Sequence, residues 1–266
     1  MTEILVLGAT GKTGRRVVRT LEAADLTPRK ASRATGFDWN DQSTWKPFLH
    51  GTTALYLIAP EDPSSAASFV EQAASSGVRR LVLLSGRGLD KTPPNVFQSM
   101  HAAEKAVRES DLAWTVLRAN NFNQNFSEQI WQPEIEAGRL SLPVDDTPEP
   151  FVDVQDIAEV AALALTTDDH HARTYDLTGP ETITFATAVA KIAAATNRQI
   201  DLVNLTPAEY REALLSQGAP EEVATELNGM FEAMRAGHLA TPTDDIASLL
   251  NRPATSFDAY VSETWR

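Results

Sequence analysis

The stretch Glu3-Ile4-Leu5-Val6-Leu7-Gly8-Ala9-Thr10-Gly11-Lys12-Thr13-Gly14 decides the fold. Four apolar residues in a row suit a strand buried on both faces, and they run directly into a glycine-rich turn. The residues after it, Arg15–Ala23, carry apolar positions at helical spacing. A strand, a Gly-x-x-Gly-x-x-Gly turn and a helix in succession form the fingerprint of a dinucleotide-binding turn. One glycine permits the tight turn, one lets the backbone approach a pyrophosphate, and one lets helix and strand pack closely. The phosphates are then received by free N–H groups at the positive end of the helix dipole. Gly8, Thr10, Gly11, Lys12, Thr13 and Gly14 are therefore the candidate phosphate-binding residues. Gly11-Lys12-Thr13 also resembles the end of a P-loop. That motif needs a glycine at position 6, where Val6 continues the strand, so the spacing excludes it.

Working outward, further apolar runs lie at Ala54–Ala59, Leu81–Leu84 and Trp114–Leu117. None alternates with polar residues, as expected for a parallel sheet covered on both sides. Helical patterns separate them: Ser64–Ser76 with Gly77 as its cap, and about Val96–Ser110. The alternation predicts a Rossmann-like α/β fold, a doubly wound parallel sheet. In the second half the reading is a short strand at Phe151–Val154, a helix Asp156–Leu165, a strand Arg173–Leu177 and a helix Thr184–Thr196. Thr206-Pro207-Ala208-Glu209 is a capping box, opening a helix to about Gln217, and another helix spans about Pro220–Ala236. These pieces predict a small C-terminal substrate lobe. The expected organisation is one NAD(P)-binding domain over residues 1–266, with its dinucleotide-binding core at about 1–150 and the lobe drawn from 120–145 and 175–266.

Several classes are set aside by composition. The 266 residues carry a net charge of −13, a field that repels nucleic acid and anionic membrane. No apolar run is long enough to span a bilayer, and Met1-Thr2-Glu3 lacks the basic start of a signal peptide. There is no cysteine, so no disulfide and no thiolate chemistry; a cytoplasmic location is expected. His170-His171 after Asp168-Asp169 lack further ligands, and no metal is expected.

An NAD site places an acid at the end of the second strand to hold the ribose hydroxyls. Leu26–Thr35 has none; it has Arg29, Lys30, Ser32 and Arg33. Basic groups there attract the additional phosphate of NADP, so NADPH is expected over NAD, with Ser32 and Arg33 as its contacts. Asp38-Trp39, after a short third strand, are candidates for the adenine amino group and ring.

Gly8–Gly14, Phe37-Asp38-Trp39, Leu57-Ile58-Ala59-Pro60, Leu83-Leu84-Ser85-Gly86 and Trp114-Thr115-Val116-Leu117-Arg118 together resemble the NmrA-like family of atypical short-chain dehydrogenases/reductases. The likeness continues through Asn120–Phe126, Phe151–Ala158 and Tyr175–Pro180, so it spans essentially the whole chain. The resemblance implies that Ala59 and Pro60 line the nicotinamide side, with Ser85 and Gly86 at the tip of the next strand. It leaves open a reductase acting on quinones or other flat aromatic compounds, a tailoring enzyme of an aromatic natural-product pathway, and a non-catalytic NAD(P) sensor that binds a protein partner.

Standard short-chain reductases use a helical Tyr-x-x-x-Lys. The corresponding helix here offers His101 and Lys105, one turn apart, as candidate proton donor and ribose holder. Hydride transfer to a quinone leaves a stabilised anion that water can protonate, so the missing tyrosine does not exclude that chemistry. Asn120, Asn121, Phe122 and Phe126, with Trp131, follow a predicted strand and are the candidate walls of an aromatic-substrate site.

Overall fold

The computed structural model describes residues 3–93 and 95–265; Met1 and Thr2, used above against a signal peptide, lie outside them. Six strands form one parallel sheet: β1 (Ile4–Leu7), β2 (Arg29–Ala31), β3 (Ala54–Ile58), β4 (Arg80–Gly86), β5 (Ala113–Ala119) and β8 (Arg173–Leu177). Their order is β2-β1-β3-β4-β5-β8. Its direction reverses between β1 and β3, where such sheets open a crevice at their C-terminal edge. The apolar runs are strands because both faces are covered. Ile4 and Val6 face one core, Leu5 and Leu7 the other, and all four are buried. On the first face lie α1 (Gly14–Ala23) and α6 (Val154–Thr166), through Val17, Leu21, Ile157 and Ala161. On the second lie α2 (Trp45–Leu49), α3 (Ser65–Ser75) and α4 (Gln98–Arg108), through Trp45, Phe69, Ala73 and Val107. Each fully buried large apolar side chain stabilises the sandwich by roughly 1.5–3 kcal/mol.

A third core lies beside the sheet. It is built from α5 (Gln132–Glu136), α7 (Phe185–Thr196), α8 (Pro207–Ser216), α9 (Glu221–Arg235) and α11 (Phe257–Thr264). Two small sheets frame it: β6 (Arg139–Leu142) pairs in parallel with β10 (Asp201–Asn204), and β7 (Pro148–Glu149) pairs antiparallel with β9 (Ile183–Thr184). A short helix, α10 (Asp245–Leu250), packs back against α6. The predicted capping box is present: the Thr206 hydroxyl accepts from the Glu209 N–H while the Glu209 carboxylate accepts from the Thr206 N–H.

Two sequence expectations give way. No strand lies between β2 and Asp38. The Thr35 hydroxyl is bonded to Ser32, Arg33–Thr35 coil into a single tight turn, and Gly36 takes φ +92°, so the chain bends where a strand would extend. Phe37 plugs the core instead, edge-on to Phe48 and Phe69. Phe151–Val154 is not a strand either. Only Val152 bridges, to Phe122, and the Asp153 carboxylate then caps α6 by accepting from the Gln155 N–H at 2.7 Å.

Candidate active site

The glycine turn leaves β1 at the crevice. Gly8 sits at φ +62°, and a side chain there would collide with Ile58. A Cβ on Gly14 would lie 2.2 Å from the Gly8 carbonyl oxygen, so Gly14 is the residue that lets helix and strand pack. Gly11 donates its N–H to that same carbonyl at 2.8 Å, and a Cβ on it would meet only that oxygen, at 3.1 Å. The cradle thus has the shape a pyrophosphate needs: backbone close in, no side chain above Gly11, and the N-terminus of α1 beneath. Thr10 is exposed at the tip, and Thr13 is buried beneath it. Lys12 reaches away from the loop, donating to Asn125 Oδ1 at 2.7 Å and to the Glu128 carbonyl at 3.0 Å. Burial pushes its ammonium down to about 8, against the neighbouring Glu128 charge, which supports it. Arg15 and Arg16 both pair with the Glu128 carboxylate, which straps segment 125–128 to the start of α1.

At the end of β2 the four polar candidates separate. Arg29 donates to the carbonyls of Phe48 and His50, each at 2.6 Å, and Lys30 pairs with Glu22 at 2.8 Å. Arg33 is exposed and forms no ion pair among the described residues, beside the buried Ser32. Asp38 accepts from the Asn40 N–H at 2.9 Å, and Trp39 stacks edge-on with Phe37, Trp45 and Phe69.

A cavity of about 370 Å³ continues from the crevice. Ala59, Ser85, Gly86, Asn120, Asn121 and Phe122 line it; Pro60 is buried and does not. Most of the remaining wall is apolar: Leu84, Leu89, Phe97, Met100, Met230 and Leu239 among others. Phe126 and Trp131 are absent from this lining. Phe126 is fully buried in the lobe core, edge-on to Trp131, Phe151 and Phe257, so its ring is held by other rings and has no face left for a substrate.

His101 and Lys105 do not line the cavity. Lys105 is exposed. His101 stands one layer back, its Nε2 3.5 Å from the hydroxyl of Thr92, which does line it. Thr92 gives its own hydrogen to the Leu89 carbonyl at 2.8 Å. The ring nitrogen must then be the donor, a tautomer assigned from the bonding pattern.

Three residues that sequence reasoning passed over organise the walls. Glu104, beside Lys105 on α4, is buried. It accepts from Ser85 Oγ at 2.8 Å and, through both oxygens, from Arg118 at 2.8 Å. Burial alone would raise its pKa, but the hydrogen bonds from Arg118 and Ser85 outweigh that and hold it below the usual range. Glu149 is buried behind Asn120 and Asn121, whose amides donate to its Oε1 at 2.8 and 3.0 Å. Its Oε2 has no partner, and burial pushes this carboxyl up to about 7. Arg87 lines the cavity and donates from Nη1 to Asn120 Oδ1 at 3.2 Å and to the Leu239 carbonyl at 3.0 Å. His170 bonds the Tyr175 hydroxyl at 2.9 Å, and Asp168 pairs with Arg80.

The geometry is that of a dinucleotide cradle opening onto an apolar chamber, and comparison with known proteins agrees. A family model described as NAD(P)H-binding matches residues 8–168. A (4-alkanoyl-5-oxo-2,5-dihydrofuran-3-yl)methyl phosphate reductase of Streptomyces griseus is 32% identical over 98% of this chain and 97% of its own length. Among solved structures, an NADPH-dependent quinone oxidoreductase of Escherichia coli in complex with NADPH superposes with a TM-score of 0.81 at 22% identity, covering 99% of this chain and 100% of that one. NmrA, a negative transcriptional regulator solved with NADP, superposes with a TM-score of 0.75 at 14% identity, over 99% and 95% of the two chains. The chain belongs to the NAD(P)H-binding family. It is an NAD(P)H-dependent oxidoreductase.

Proposed function

We propose that this oxidoreductase uses NADPH to reduce a quinone or a similarly flat, neutral carbonyl compound. The observation that carries this reading is the cavity wall: apolar over most of its surface, with the hydroxyl hydrogens of Ser85 and Thr92 already given to Glu104 and to the Leu89 carbonyl. Ser85 therefore faces the chamber as an acceptor, suited to an amide N–H such as that of a nicotinamide carboxamide. A wall with few proton donors suits an acceptor whose reduced form is a stabilised anion, protonated afterwards by water. NADPH, when bound, supplies the hydride.

The chain's own residues would do the rest. The Gly8–Gly14 turn holds the pyrophosphate, with Thr10 at its tip and Thr13 buried beneath, while Lys12 ties the turn to Asn125 and Glu128. Ser32 and Arg33 receive the 2′-phosphate, a role supported by the commitment of Arg29 and Lys30 elsewhere. Asp38 and Trp39 flank the adenine. Ala59, Ser85 and Gly86 bound the nicotinamide side, with Pro60 buried behind Ala59, and Asn120, Asn121 and Phe122 bound the substrate, under a lobe that contributes Met230 and Leu239. His101 acts through Thr92 and not on substrate, and Lys105 does not take part. No helix among the described residues is long and apolar enough to cross a membrane, and we place the reaction in the cytoplasm.

Calorimetry and steady-state kinetics with NADPH, NADH and a panel of quinones test this. NADPH should bind at least tenfold more tightly than NADH, and Arg33→Ala should remove most of that preference. Equal affinities would overturn the cofactor assignment. Tight dinucleotide binding with no oxidation across the panel would overturn quinone reduction and favour the sensor.

A further inference from the structure

Resting on the reductase reading, we infer that Arg87 is a catalytic residue: its guanidinium stabilises the negative charge that hydride transfer places on the oxygen of a neutral acceptor, and so selects neutral acceptors over cationic ones.

Three observations carry this. Among the described residues lining the cavity, Arg87 is the only cation. Its Nη1 is 3.2 Å from Asn120 Oδ1 and 3.0 Å from the Leu239 carbonyl, and both of those residues line the same cavity, which puts the guanidinium at the wall. Those two bonds use both Nη1 hydrogens. Asp176 lies at ion-pair distance from Nε, 3.6 Å away. The two Nη2 hydrogens have no protein partner among the described residues, and Nη2 is not among the buried unpaired atoms. They are free for a ligand. The side chain is only 11% exposed, so its charge acts through a poorly screened medium. Asp176, which offsets it, is itself 41% exposed and screened by water. Glu149 is attracted by the guanidinium but gives it no hydrogen bond; its bonds go to the two asparagines, and burial, which raises its pKa, disfavours its charged form.

The electron count is simple. In a quinone the hydride pair forms an O–H bond at one oxygen, and the π pairs shift through the ring onto the other, beside Arg87. In a simple carbonyl compound it forms a C–H bond and the carbonyl π pair moves onto that oxygen. In both the dinucleotide is oxidised. The oxyanion then takes a proton from water. A fixed cation beside that oxygen stabilises the transition state more than the ground state, because the charge is absent before transfer. In a cationic acceptor the same hydride neutralises a positive charge. Arg87 then repels the bound acceptor and, less strongly, its transition state, so it lowers kcat/KM for such an acceptor.

The test compares wild type with Arg87→Met, using NADPH with a neutral benzoquinone and with a triarylmethyl cation dye. Loss of a single preorganised donor at a developing oxyanion costs about 10²–10³-fold in turnover. Arg87→Met should therefore lose about 10²-fold or more in turnover with the quinone, keep its NADPH affinity within threefold, and reduce the dye with an equal or higher kcat/KM. A readout without turnover runs beside it. Bound 4-nitrophenol should ionise about one pH unit lower in wild type than in Arg87→Met, a tenfold preference for the anion. If Arg87→Met fails to bind NADPH, Arg87→Gln, which keeps amide donors for Asn120 and Leu239 but carries no charge, replaces it. Quinone turnover unchanged in the variant would overturn the proposal. So would an unshifted nitrophenol titration. A wild type that reduces neither acceptor would overturn the reductase reading, while the nitrophenol titration still decides whether Arg87 recognises an oxyanion.

Discussion

Two glutamates stand behind different stretches of the same cavity wall, and they behave in opposite ways. Glu104, behind Ser85, is met by two guanidinium groups and a hydroxyl: Arg118 on both oxygens, Arg108 at 3.2 Å and Ser85 at 2.8 Å. It is held ionised. Glu149, behind Asn120 and Asn121, is met by neutral amides on one oxygen and by nothing on the other. Its carboxyl is pushed up to about 7 by burial. Both side chains are almost completely removed from solvent. The difference lies in the partners, and it shows that burial does not set the charge state of a carboxylate by itself. It also divides the cavity into a wall of constant charge under Ser85 and a wall whose charge changes near neutrality.

Removing the charged partner from the constant wall should have the largest effect. Glu104→Ala leaves Arg118 and Arg108 without their carboxylate and should destabilise the protein by about 3 kcal/mol or more at pH 7, at the low end for a broken buried pair because Arg108 reaches water. Because the folded pKa of Glu104 is depressed, that contribution is present above the unfolded value and fades as pH falls through the folded one. Urea titrations at pH 7 and pH 3 would show it; an equal loss at both would mean that the network acts through packing alone.

The second wall should give the opposite sign. The folded pKa of Glu149, about 7, lies above the unfolded value of 4.5. Between the two, the native state holds a proton that the unfolded state lacks, so stability falls as pH rises, and the full cost is present above about pH 7. At pH 8 that cost is about 3 kcal/mol. Glu149→Gln should be more stable than wild type by up to that amount at pH 8 and nearly equal to it at pH 4. A variant less stable than wild type at pH 8 would mean that the carboxylate finds a partner for its second oxygen.

The smallest effect should come from the histidine that sequence spacing brought forward. His101→Ala should change quinone turnover less than threefold, because His101 meets the cavity only through Thr92. A loss of 10²-fold or more with cofactor affinity unchanged would make it a general acid.

What could be read in the sequence was local. The β1–turn–α1 unit is legible because each glycine answers to a contact within a few residues: Gly8 to its own positive φ, Gly14 to the Gly8 carbonyl. The pairing of the cavity's charges was not. Glu104 stands in a helix beside Lys105, and Glu149 follows Asp145 and Asp146 in a proline-flanked run; both look like solvated surface. Their partners lie far away in sequence, Ser85 and Arg118 for one, Asn120 and Asn121 for the other. Arg87 is likewise one basic residue in a turn until the fold brings Asn120 and Leu239 to it. Phe126 was placed on the substrate side because a ring after a strand looks the same whether it faces a ligand or four other aromatic residues.

Those rings have a consequence for how the chain comes off the ribosome. The lobe core is tied by Phe126, Trp131, Phe151, Phe185 and Phe257, which pack ring against ring although they are spread over residues 126–257. The sheet can start much earlier, because β1 to β5 pair largely with near neighbours in sequence and emerge before Phe126 has been made. Long-range contacts close late, since their loop entropy must be overcome before they contribute. Nascent chains should therefore carry a formed dinucleotide half while Phe126, Trp131 and Phe151 still await Phe257. During synthesis this cluster of unclosed rings, rather than the sheet, is the surface on which a chaperone would act.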